Sequence, residues 1–375
     1  MIDFESRLKS LKERRQGSRE RAIFETMDSY SANRAILTGQ DVRGKEFFEL
    51  LKESAGVKYA IGAMAAVDEA ATKISIREGD RVADSLTKSL GEMGESVIKK
   101  LQGSVALNIH IKGHSDVDML IIIAGTVEVE PPRIIPNGYS PATDPRSLLQ
   151  IIRDVRAKSE KILPVNFPKA DVDCSNNKSI CVSGGSLARE VDVVPAFWFD
   201  TVQYQRSFQE HDRGIKIYHK SDDALLLNFP FTHIKLINDR DAQYSGNLKC
   251  IIRLMKNMIA DMPDYKKHVV KQLSSYDLAA IGYYMNENLY APYYMKLSLV
   301  EKTRAHLAFL LAASDYRSSL FVPDKTRKIF DNDKKVEALS ILSKEMDDLA
   351  VSIFKELRPL HSAYDASTIL SKSIF

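Results

Sequence analysis

The stretch "GHSDVDMLIII", Gly113 to Ile123, sets two acids one residue apart at the mouth of a strongly apolar strand. Strand side chains alternate faces, so the spacing predicts that Asp116 and Asp118 point the same way, roughly 6–7 Å apart. Two carboxylates that close repel each other, and burial adds to the cost. An isolated D-x-D most often caps a strand and faces solvent. A divalent cation between the acids reverses the sign of the interaction, and hard oxygen donors of this kind suit magnesium, with manganese as a substitute.

Three further features favour the cation. Gly103–Ser104 stands upstream, a turn that lets backbone N–H groups and a hydroxyl approach phosphate oxygens closely. "REVDVVPAFWF" inserts Asp192 into another apolar strand, where it needs a cation or a hydrogen-bond donor. Three carboxylates on neighbouring strands can hold two metal ions about 3.5–4 Å apart, clamping the attacking and leaving oxygens of a phosphoryl displacement. Finally "CIIRLMKNM" and "LSSYDLAA" offer Lys256 as a point charge for a triphosphate, Ser275 as a hydroxyl and Tyr276 as a flat ring for a base. Singly these three are bland, because a helix lysine is usually solvated and a tyrosine after a serine cap is usually core.

The rest of the chain sets the frame. At 375 residues two lobes are expected, and 44% hydrophobic with 27% charged residues is ordinary for a globular protein. The formal charge, 53 − 50 = +3, does not announce a nucleic-acid binder. "MIDFESRLKSLKERR" lacks the apolar core of a targeting signal, and "MLIIIAGTV" is far too short to span a membrane. Cys174, Cys181 and Cys250 show no zinc spacing, so the expectation is a reduced, cytoplasmic protein without a structural metal site.

Residues 1–102 read mostly as helix, with "SIREGDR" as the clearest break. "VALNIHI", "DMLIIIAG", "SICVSG" and "REVDVVPAFWF" read as strands. "VEVEPPRIIPNGYSPATDP" reads as a surface loop, and "PRSLLQIIRDVRAKSEKIL" as a helix entered through proline. Beyond about residue 222 every periodic segment is helical. The fold class expected is α+β: residues 1–222 form a catalytic lobe with a mixed sheet and a long N-terminal helical region, residues 223–375 a helical lobe, and the active site lies in the cleft between them.

Taken together, "GSVALNIHIKGHSDVD" followed by "VDVVP" resembles the polymerase-β-like nucleotidyltransferases, and "RLMK" with "SSY" resembles the branch containing cyclic GMP-AMP synthase, oligoadenylate synthase and the bacterial CD-NTases. The resemblance covers roughly residues 100–285. It implies that Gly103 and Ser104 hold the donor triphosphate, that Asp116 and Asp118 bind both magnesium ions, and that Asp192 completes the metal set and helps activate the attacking hydroxyl. It implies Lys256 and Ser275 on the phosphates and Tyr276 stacked on a nucleobase. Two departures are "VALNIHI" after the Gly-Ser turn and Asp277 after "SSY".

The leading reading is therefore a magnesium-dependent synthase of a cyclic di- or trinucleotide second messenger. It would use NTPs, ATP among them, in bacterial anti-phage (CBASS) signalling, with regulatory partner proteins, no membrane and no obligatory nucleic acid. A nucleotidyltransferase making linear oligonucleotides, or modifying RNA, a protein or a small molecule, stays open. So does a catalytically dead scaffold, although a scaffold has no reason to keep three uncompensated acids in strands.

Overall fold

The run Met119–Ile123 is buried on both faces, which is why it reads as continuous rather than alternating. It lies in the computed structural model of the chain, which describes residues 2–26, 45–113, 115–135 and 138–375. His114 of the acid-pair segment, Pro136 and Asn137 of the proline-rich loop, and residues 27–44 of the N-terminal region lie outside the described residues.

In chain order the principal elements begin with helices α1 (Phe4–Thr26), α2 (Ala55–Met64) and α3 (Glu69–Glu92), followed by β1 (Val97–Gln102) and a helical turn, α4 (Gly103–Ala106). Then come β2 (Val117–Val129), α5 (Leu148–Asn166), β3 (Asp171–Asp173), β4 (Ile180–Ser183), β5 (Val191–Asp200), β6 (Gly214–His219) and β7 (Ala224–Asn228). The remainder is helical: α6 (Pro230–Gln243), α7 (Asn247–Ala260), α8 (Asp264–Val270), α9 (Ser275–Tyr283), α10 (Ser298–Ala312) and α11 (Asp333–Leu357), with shorter turns between. Among the described residues no helix is long and apolar enough to cross a membrane.

The chain forms two compact units, and they are not divided at residue 222. One contains residues 72–107 and 115–236; the other contains residues 1–71, 108–114 and 237–375. The first carries a seven-stranded mixed sheet of order β1-β2-β5-β4-β3, with β6 on β5 and β7 on β6. β2 and β5 run parallel and the remaining pairs antiparallel. One sheet face packs Val117, Met119, Ile121, Val191 and Val193 against Val82, Leu86 and Leu90 of α3 and Ile152, Val155 and Leu163 of α5. The opposite face gathers Leu120, Ile122, Val194, Ala196, Trp198, Ile215 and Ile217. Alternation along the strands puts Asp118 and Asp192 on this second face, at the ends where β2 and β5 begin.

Several local readings are corrected. "SIREGDR" is not a break: α3 runs straight through it. Gly79 is there for close approach, since a Cβ on it would meet Val117 Cγ1 at 2.6 Å. α5 is entered through Ser147, whose side chain accepts the Gln150 N–H in a capping box, rather than through proline. "VALNIHI" is not a strand. It begins in α4 and then breaks at Asn108, whose φ is +54°, and the Asn108 carbonyl accepts from Arg253 Nη1 at 2.8 Å instead of from a neighbouring strand. Helical spacing of Lys and Glu hid β1, an edge strand bearing Lys99 and Lys100, and strands continue past residue 222 in β7.

In the helical unit the N-terminal helix docks by ion pairs with remote residues. Arg7 and Lys266 both reach the fully buried Glu345 of α11, at 2.5 and 2.7 Å. Arg14 binds Asp261 at 2.5 Å, and the Tyr59 hydroxyl donates to the same carboxylate at 2.9 Å. Helices α1 and α2 of the N-terminal region thus belong with the helical unit, whereas α3 packs on the sheet.

Candidate active site

Register sets the site. Asp118 of β2 stands directly opposite Asp192 of the parallel strand β5, and such neighbours lie about 4.8 Å apart across a sheet. On its other side Asp118 faces Gln102, the last residue of β1, and Asp192 faces Cys181 of β4. Asp116 precedes β2 by one residue and is exposed, while Asp118 and Asp192 are half-buried.

The electrostatics are those of crowded anions. The Asp192 carboxyl is pushed up to about 6, first by burial and then by the negative charges of Asp116 and Glu190, with a hydrogen bond from Ser179 pulling the other way. Glu190 was missed by sequence reasoning, although "REVDVV" repeats the acid-x-acid spacing of "SDVD" two residues before Asp192. It accepts from the Cys181 thiol at 2.9 Å, and burial together with that carboxylate holds the thiol far above its ordinary range.

A raised carboxylate pKa means that the folded protein binds that proton more tightly than the unfolded chain does. The cost of ionised Asp192 is therefore fully present above pH ~6 and fades as pH falls toward the ordinary carboxylate value. Asp192→Asn is expected to raise the melting temperature of chelator-treated protein at pH 8, and the gain should shrink below pH ~6 and vanish near pH ~4. A pH-independent difference between the two melting curves would contradict this assignment.

Gly103 makes the approach to the acids. Its φ is +72°, and a Cβ there would sit 2.0 Å from Asp118 Oδ2 and 2.8 Å from its Cγ. Only glycine combines that backbone with that contact. Gly103 and Ser104 open α4, so the turn presents the amides of a helix start beside the Asp118 carboxylate.

The remaining candidates lie in the helical unit. Lys256 on α7 is buried, not solvated, and with Ser275 it lines a cavity of about 470 Å³ whose wall also holds Ile111, Lys267, Lys271 and Ser274. Ser274 caps α9, accepting the Asp277 N–H and donating to Asp277 Oδ2 at 2.7 Å. Asp277, a departure from the family pattern, is a structural acid: it is buried and ion-paired with Arg327 at 2.6 Å and Lys335 at 3.3 Å. Tyr276 is not among the residues lining the cavity. Its hydroxyl donates to Asp324, and burial followed by that carboxylate's charge raises its pKa. The structure thus brings Gly103, Asp118 and Asp192 together in the sheet unit, and Lys256 with Ser275 in the helical unit.

The donor set suits a hard divalent cation. Asp116, Asp118 and Asp192 supply oxygens only, and the charge crowding on Asp192 is what a cation would relieve. Among the described residues no three His, Cys, Asp or Glu side chains form a ready-made cage. Magnesium typically takes one or two carboxylates and completes its shell with water and substrate phosphates.

A mixed sheet that sets an acid pair beside a third acid, under a glycine turn, defines a nucleotidyltransferase. No family model matches the chain. It is 33% identical over 369 residues to a cyclic dinucleotide synthase CdnE of Yersinia aleksiciae, covering 94% of this chain and 93% of that protein. It is 30% identical over 348 residues to a c-di-GMP synthase of Capnocytophaga granulosa, covering 87% and 95%. The solved structure of a STING-associated CdnE c-di-GMP synthase from Capnocytophaga granulosa superposes with a TM-score of 0.67 at 26% identity, covering 94% of this chain and 99% of that one. A STING-associated CdnE c-di-GMP synthase from a Flavobacteriaceae species shares the fold, with a TM-score of 0.72 at 23% identity. The chain belongs to the CdnE cyclic dinucleotide synthases, within the CD-NTase family of nucleotidyltransferases. It makes a cyclic nucleotide product from NTPs, and enzymes of this kind generally use divalent metal ions.

Proposed function

We propose that the chain is a magnesium-dependent synthase of c-di-GMP that uses GTP. Asp116, Asp118 and Asp192 would hold the metal, and Gly103, Ser104, Lys256 and Ser275 would hold the triphosphate. The observation that carries this is the register match of Asp118 with Asp192 on adjacent parallel strands. Guanine as the base rests on the relatives named c-di-GMP synthases.

The chemistry is an in-line displacement. A ribose hydroxyl attacks the α-phosphorus, the new P–O bond forms, and the bond to the leaving group breaks, so that pyrophosphate departs with the electron pair. Asp192, on the strand beside Asp118, takes the hydroxyl proton. The Gly103–Ser104 turn holds the triphosphate in line. Magnesium held by Asp116, Asp118 and Asp192 would supply charge neutralisation on the phosphate oxygens. A second displacement on the linear intermediate closes the ring. Tyr276, its hydroxyl already held by Asp324, offers its ring to a base. The product would act in cytoplasmic CBASS anti-phage signalling, and its partner would be a receptor of the kind implied by relatives described as STING-associated.

Purified protein incubated with the four NTPs and magnesium or manganese, read by mass spectrometry, tests the reading. The expected product is c-di-GMP, resistant to alkaline phosphatase because a closed ring has no terminal phosphate, and cleaved by a phosphodiesterase. A mixed ring would bring in ATP as second substrate. Linear oligomers shortened by phosphatase would overturn cyclisation.

A further inference from the structure

The chain between the glycine turn and the acid pair does not stay with the sheet. At Asn108 it joins the helical unit, and it returns to the sheet unit at Ser115. Ile109, Ile111 and Lys112 of this connection are buried. Two buried cations pin it. Arg253 of α7 donates from Nη1 to the Asn108 carbonyl and from Nε to the carbonyl of Met64, the last residue of α2, both at 2.8 Å. Lys112 sends its ammonium inward, to Asp68 at 2.5 Å and to the Arg15 carbonyl of α1 at 2.9 Å. The next residue, Gly113, has a φ of +75°, and a Cβ on it would sit 3.3 Å from Arg14 Cγ. Arg14 and Arg15 are themselves held by Asp261 and Glu46, at 2.5 and 2.6 Å.

Connections usually run solvated over the surface, where only their length matters. A buried ammonium is different. It is costly away from its partners, so the backbone that carries it has one place to go. That matters more for Asp116 than for Asp118. Register places Asp118 between Gln102 and Asp192. The ladder of β2 on β5 begins at Val117, so the place of Asp116 depends on the chain that reaches it. Lys112 stands four residues before Asp116, and Asn108 four residues after Ser104.

We propose that Lys112 and Arg253 are positioning residues for nucleotidyl transfer: by fixing the connection in the helical unit, they set the backbone that carries Asp116 to its place beside Asp118. The inference rests on the reading of Asp116 as a metal ligand. The test pairs Mn2+ binding to nucleotide-free protein, read by electron paramagnetic resonance, with steady-state synthesis of cyclic product, both well below the melting temperature. Lys112→Met with Asp68→Asn removes the ion pair, strands no buried charge and keeps the Asp68 oxygen that accepts the Ala71 N–H, so the protein should stay folded. This variant should bind Mn2+ about tenfold more weakly and lower kcat by about tenfold to a hundredfold, with KM for the NTPs within about threefold. Losses of that size are typical when a group that orients a metal ligand is removed. Arg253→Lys keeps the charge but loses the fork that serves two carbonyls, and should show the same split. Arg7→Met breaks the buried pair with Glu345 in the same unit, and should lower the melting temperature while leaving Mn2+ affinity and kcat unchanged. Normal Mn2+ affinity and kcat in the folded connection variants, or a rise in KM at unchanged kcat, would overturn the inference. Equal losses in Arg7→Met would also overturn it, because the effect would then be one of general stability. If Asp116→Asn leaves Mn2+ binding intact, the metal reading of Asp116 falls and takes the inference with it. If Asp116→Asn weakens binding and the connection variants do not, the inference alone falls.

Discussion

Asp116→Asn combined with Asp118→Asn lowers cyclic product formation by about a thousandfold or more, and the protein stays folded. Metal-assisted charge neutralisation at a phosphoryl centre is worth several kcal/mol, and each 1.36 kcal/mol is a factor of about ten in rate. Both substitutions keep the side-chain volume and remove only charge. Asp118 is half-buried beside Asp192, and Asp116 is one of the charges that push the Asp192 carboxyl up to about 6. Neutralising the pair relieves this repulsion, so thermal stability in chelator is expected to hold or rise while activity disappears. Asp192→Asn alone should lower turnover more than NTP affinity, because its proposed task is to accept a proton from the attacking hydroxyl. Near-normal turnover in the double variant, with folding intact, would sink the three-acid reading.

Gly103→Ala is expected to lower turnover by about a hundredfold and to destabilise the fold by about 1–2 kcal/mol, the cost typical of a side chain forced into left-handed backbone. The added methyl would sit 2.0 Å from Asp118 Oδ2, a distance no real contact sustains, on a backbone with φ of +72°. The carboxylate is the movable partner, so it swings away from the position facing Asp192. The turnover penalty should therefore be strongly non-additive. In an Asp118→Ala background, already inactive for want of the carboxylate, Gly103→Ala should cost little further turnover, while its backbone cost to stability persists. Additive losses in turnover would mean that the turn acts independently of Asp118, through its amides on phosphate.

How much of this was legible follows from which interactions are local. The spacing of two in "SDVD" and "EVD" is a property of strand geometry, so the chain alone places Asp118 and Asp192 in apolar strands, Asp116 at the mouth of the first, and Gly103–Ser104 in a turn before them. The helices Asn247–Ala260, Ser298–Ala312 and Asp333–Leu357 were legible for the same reason, since their apolar periodicity is local. "VALNIHI" misled because Leu107, Ile109 and Ile111 alternate like a strand. What stops the strand is a left-handed Asn108 and an arginine on its carbonyl, contributed by a helix far along the chain. "SIREGDR" misled because a glycine chosen for contact with Val117 looks, in one dimension, like a glycine chosen to end a helix.

The sequence by itself determined the apolar strands around the acids and the strand-then-helix order, because each depends on residue type and short-range spacing, and the class of enzyme was legible through the resemblance its motifs carry. Tertiary structure alone decided that Asp118 and Asp192 are register partners, that Glu190 joins them, and that Cys181 donates to Glu190. It also decided that the N-terminal helix binds Glu345 and Asp261 of the helical unit, and that Lys256, Lys267 and Lys271 share one cavity. The physical reason is common to all of these. Burial makes a charge costly unless a partner meets it, and the partner that folding supplies is selected by packing in three dimensions, with no bearing on its distance along the chain.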